Sequence, residues 1–92
     1  MANKHGDLQD QYEKILGRPL PYFETLAFRF GDEKMQNLFN ALSLRLNLRG
    51  LLYDSNDTLH TVQIVFDKAS QNISQARRLA GECGAQEITP IF

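Results

Sequence analysis

The chain has 92 residues, 42% of them hydrophobic, with a formal net charge of −1. A chain this short buries roughly 60–65% of its unfolded surface, enough for one core and one domain spanning residues 1–92. Near-neutral charge argues against a protein that holds nucleic acid through a broad basic stripe. The single cysteine, Cys83, excludes an intrachain disulfide and a thiolate metal cage and points to a reducing, cytoplasmic setting. There is no apolar run near the ~20 residues of a membrane span.

In chain order, residues 1–6 are small and polar. Leu8, Tyr12, Ile15 and Leu16 then recur at helical spacing, with Asp7 to cap the start and Gly17 to close the end. This predicts a short amphipathic helix, too short to hold alone, that must dock elsewhere on the chain. Arg18-Pro19-Leu20-Pro21 is an extended connector, because each proline drives its predecessor out of the helical region. Helix and connector occupy residues 1–22.

Residues 23–30 predict a strand with Leu26, Phe28 and Phe30 on one face and Phe23, Thr25, Ala27 and Arg29 on the other. Asp32 is placed to cap a helix on which Met35, Leu38, Phe39, Leu42 and Leu46 form the inner stripe. Gln36, Asn40 and Ser43 fall outside it, and Asn47 marks its exit. Residues 48–54 read as a second strand, weakened by Gly50. The acidic, turn-forming run 54–57 joins it to the most strand-like segment of the chain, residues 58–66, with Val62, Ile64 and Phe66 on its core face. Asp67 is expected to cap a second helix with a narrow stripe of Ala69, Ile73, Ala76, Ala80 and Cys83, ending at Gly84. The last strand, 86–92, contains Pro90 and so belongs at a sheet edge.

Residues 23–92 thus run βαββαβ, the order of the split βαβ arrangement, and resemble the ferredoxin-like superfold. The expected fold is α+β: a four-stranded antiparallel sheet, two helices on one face, and the extra N-terminal helix. The first and third strands are expected at the centre. The other sheet face would carry Phe23, Thr25, Ala27, Arg29, Leu59, Thr61, Gln63 and Val65, too apolar for open water, so the leading helix or a partner should cover it.

No residue cluster spells a reaction. RNA-recognition motifs share this element order but stack bases on strand aromatics, and of those only Phe23 is available here. Acylphosphatases share it too, yet the loop after the first strand, Gly31-Asp32-Glu33, is acidic and wrongly charged to hold phosphate. His5 and His60 stand apart from other metal ligands, and the glycine and distal glutamate of a calcium loop are missing around Asp54, Asn56 and Asp57. Catalytic residues, metals and cofactors are therefore not expected. Candidate partner-binding residues are Phe23 and Arg29 on the open face, Arg45 and Arg49 near one helix end, and Arg77 and Arg78 on the other helix. A presumed hairpin tip adds Tyr53, Asp54, Asn56 and Asp57.

In size and organisation, though not in any motif, the chain resembles the small phage-encoded anti-CRISPR proteins. That resemblance implies a stoichiometric inhibitor in the host cytoplasm that contacts Cas effector subunits and occupies a surface used by guide RNA or target DNA. The alternatives are an ACT-like ligand-binding and dimerisation domain, favoured by Gly31 and Asp32, and a nucleic-acid-binding module working by charge.

Overall fold

The computed structural model describes residues 22–90, with Lys14 and Gly17 ahead of them. Apart from those two positions, the leading helix and its connector lie outside the described residues, as do positions 91 and 92.

The described chain is α+β, in the order β1 (Phe23–Arg29), α1 (Glu33–Arg45), β2 (Leu52–Asn56), β3 (Thr61–Asp67), α2 (Asn72–Glu82) and β4 (Gln86–Ile88). The four strands form one sheet in the order β2-β3-β1-β4, every neighbouring pair antiparallel. The two most apolar strands are therefore central, where both of their edges find hydrogen-bond partners. β1 and β3 pair over seven rungs, from Phe23↔Asp67 to Arg29↔Thr61. This register sets Leu26 beside Ile64 and Phe28 beside Val62 on one face, where they join Phe30, Phe39, Phe66, Ile73, Ala76 and Ala80 in the core. Phe39 packs against the rings of Phe28 and Phe30, at centroid distances of 5.8 and 5.1 Å.

Both helices end in the same device. Asn47 (φ 58°) follows α1 and Gly84 (φ 74°) follows α2. The Leu48 N–H then donates to Ser43 O and the Asn47 N–H to Leu44 O; after α2, Ala85 donates to Ala80 O and Gly84 to Gly81 O. These paired bonds satisfy carbonyls that a helix end leaves open. The start of α1 is as expected, with Asp32 accepting from the Met35 N–H at 2.8 Å.

Three expectations need correction. The hairpin turn lies at residues 57–60, not 54–57; β2 begins at Leu52 and not at 48, and β3 at Thr61 and not at 58. Asn56 is the cause: its side-chain oxygen accepts from the N–H groups of both Thr58 and Leu59, so the chain reverses after Asn56, and His60 (φ 56°) completes the turn. Tyr53 is consequently a strand residue and not part of a tip. Second, α2 starts at Asn72. Asp67 instead closes a turn by accepting from the Ala69 N–H, leaving Ala69 exposed ahead of the helix. Third, α1 is rolled relative to its apolar stripe. Gln36 and Ser43 are fully buried, whereas Leu38 and Leu46 are 44% and 55% exposed.

Candidate contact surface

The roll of α1 originates in a polar seam between that helix and β2. Gln36, Asn40 and Ser43 follow one another at helical spacing, and Tyr53 and Ser55 share the helix-facing side of β2 through pairing with Ile64 and Val62. The Gln36 amide donates to Ser55 Oγ (2.9 Å), Asn56 O (3.1 Å) and Thr61 O (3.3 Å), clasping both arms of the hairpin. Asn40 also donates to Ser55 Oγ, at 3.1 Å. The Tyr53 hydroxyl donates to Asn40 Oδ1 and lies 3.2 Å from Ser43 Oγ, which donates to Asn40 O. Arg49 closes the seam, with its guanidinium 4.5 Å over the Tyr53 ring and one N–H on Asn40 O at 3.1 Å.

Electrostatically the seam is quiet. Burial raises the Tyr53 phenol above its ordinary value of 10.0, while the Ser43 hydrogen bond and the Arg49 charge pull the other way. Tyr53 is thus a fixed donor at neutral pH and no base. Cys83 is 2% exposed, and burial, with Glu82 adding to it, pushes its thiol up, the opposite of what a nucleophile requires. Among the described residues, no three His, Cys, Asp or Glu side chains converge as metal ligands, and no helix is long and apolar enough to cross a membrane.

On the other flank of α1, Leu38, Leu42 and Leu46 repeat every four residues. Leu42 is partly buried against the core; Leu38 and Leu46 stand in solvent. Beyond Leu46 an open groove of about 360 Å³ separates α1 from α2. Buried Leu48 and Leu79 lie at its base, and exposed Arg78 and Glu82 at its margin.

The remaining candidate residues are spread over the molecule. Phe23 is buried at the start of β1, and Arg29 is exposed at its end. Arg45 is exposed in the last turn of α1. Arg77 bonds Glu87 at 2.9 and 3.2 Å and Glu24 at 3.4 Å, tying α2 to β4 and β1; Glu87 is the main reason its pKa is raised. Asp54 is exposed on β2 and Asp57 in the turn, while Asn56 is occupied in holding that turn. Among these ten positions, Arg49 and Tyr53 are brought against each other, the guanidinium over the ring. The seam residues Gln36, Asn40, Ser43 and Ser55 escaped sequence reasoning. Their signal was the polar stripe on α1 itself, which reads equally well as a solvated face.

Compared with protein-family models, curated proteins and solved structures, the chain produced no match.

Proposed function

We propose that this chain is a non-enzymatic binding protein on a ferredoxin-like βαββαβ frame, and that it acts by covering a surface of a larger assembly. The observation that carries the reading is the roll of α1, which sinks a glutamine and a serine and leaves Leu38 and Leu46 about half in water. Fully burying one leucine side chain is worth about 1.5–3 kcal/mol. That unrealised free energy becomes available when a partner covers the flank. The groove beside Leu46 accepts an apolar anchor, and Arg78 and Glu82 at its margin offer charges of both signs to the surrounding rim. The partner proposed is a protein subunit of a Cas effector, as for the anti-CRISPR proteins that the chain resembles in size and organisation. Guide RNA or target DNA would then be displaced, not bound by a basic stripe of this chain.

Plasmid interference in cells carrying defined CRISPR systems tests this. Expression of the chain should restore plasmid transformation against one effector class. A double variant, Leu38→Asp with Leu46→Asp, should keep its thermal midpoint yet weaken binding to the purified effector by about 30-fold or more. Undiminished interference across the effector classes would overturn the proposal, as would undiminished inhibition by the double variant.

A further inference from the structure

β2 closes one margin of the sheet, with β3 as its neighbour, and the phase of the ladder tells which of its backbone groups are spent. The Phe30 N–H donates to His60 O at 2.8 Å and the Lys68 N–H to Tyr22 O at 2.9 Å, so His60 and every second residue from it to Lys68 bond toward β1. Thr61, Gln63 and Val65 bond toward β2, where they meet Asn56, Asp54 and Leu52. Tyr53 and Ser55 therefore turn their N–H and C=O groups away from β3, and no described strand lies beyond them.

This edge is preset to receive a strand. The Tyr53 hydroxyl and Ser55 Oγ are both hydrogen-bonded to Asn40 of α1, so little order has to be created on binding. Leu52–Asn56 contains neither proline nor lysine, residues that commonly blunt an edge. Its two sides differ in chemistry. On the α1 side stands Leu44, one turn beyond Asn40 along the same side of the helix and 64% exposed. On the opposite face, Asp54 is exposed.

A second copy of the chain does not suit this edge. Two β2 strands pairing antiparallel through Tyr53 and Ser55 would set Asp54 directly against its own counterpart. That pair falls at the non-hydrogen-bonded position, where side chains come closest and like charges are destabilising. We propose instead that the β2 edge accepts an extended segment of a partner protein as a fifth strand. Its lysine or arginine lies opposite Asp54, and the apolar residues on either side of that cation turn toward α1 and Leu44. The main-chain groups of Tyr53 and Ser55 supply attachment, and the Asp54 charge selects the sequence. This edge is separate from the Leu38–Leu46 flank of the effector reading, and the test uses no effector, so either can fail alone.

Amide-resolved NMR on the full chain tests it, with the end-blocked pentapeptide Thr-Val-Lys-Val-Thr as the probe. In the free protein, the Tyr53 and Ser55 amides should exchange with deuterium well before that of Asp54. The peptide should shift and protect those two amides, and its Lys→Glu form should bind about fivefold more weakly. Asp54→Lys, at an exposed position, should keep the thermal midpoint and invert that preference. Tyr53 and Ser55 amides already protected in the free chain would mean an occupied edge and overturn the proposal. Protection that rises with protein concentration would assign the edge to a second copy and overturn it too. No shift at several millimolar peptide, or a preference indifferent to Asp54→Lys, would do the same.

Discussion

Tyr53 supplies an apolar ring and a hydroxyl to one junction, and its effect on stability comes from both. The ring joins the core margin under Arg49, and the hydroxyl serves Asn40 and Ser43. Tyr53→Phe keeps the ring and removes the hydroxyl, so about 1–2 kcal/mol should be lost, read from the urea midpoint at pH 7. The same substitution should alter the alkaline limb. The folded pKa is raised, so the stabilising preference for the neutral phenol is complete below about pH 10, the unfolded value. It is lost as pH rises from there through the folded value. The stability difference between wild type and Tyr53→Phe should therefore shrink above about pH 10, as measured by urea titrations from pH 8 to 11. The sequence marks Tyr53 as notable but misplaces it, because the turn depends on a side-chain bond from Asn56 that composition does not reveal. Core residues such as Phe28 and Ile64 are legible because alternation and β-branching state their burial directly.

At the scale of elements, what the chain announces is periodicity, and what it conceals is phase. The existence and exit of α1 are readable from Asp32, the leucine stripe and Asn47. Its roll is not, because a stripe of Gln36, Asn40 and Ser43 looks solvated until Tyr53 and Ser55 arrive opposite it. Five side chains hydrogen-bonded to one another across a helix–strand boundary outweigh the burial of two leucines at its margin. The link from α1 to β2 carries a second hidden constraint at Gly50. Its φ is 63°, and a Cβ there would meet Val65 O at 2.5 Å and Ile64 Cγ2 at 2.9 Å. Backbone cannot yield as a side-chain tip can. Gly50→Ala should therefore cost at least about 2 kcal/mol, from the left-handed conformation together with the collision, as measured by the urea midpoint. Sequence reading took Gly50 for a weak point within a strand; it is where the chain passes tight against the Val65 carbonyl of β3.

For the whole molecule, the helix-backed antiparallel sheet with β1 and β3 at its centre is written openly in the order and composition of the elements. The contact surface proposed above is not, since it results from packing that leaves leucines outside. No single residue carries it, and only the assembled α1–α2 flank brings Leu46, Leu48 and Arg78 around one groove. The sheet's two margins also differ. β2 is held by five rungs to β3 and by the seam to α1, whereas β4 meets β1 over three rungs and is braced by the Arg77–Glu87 pair, which is exposed. Exposed ion pairs add roughly 0–1 kcal/mol. Of the four strands, β4 is thus the one that detaches with least work. Amide protons of β4 should exchange with deuterium well before those of β3, by local opening that leaves the other three strands in place. Each such opening bares a flank of β1 to any extended peptide nearby, so crowding would encourage copies to trade their last strands.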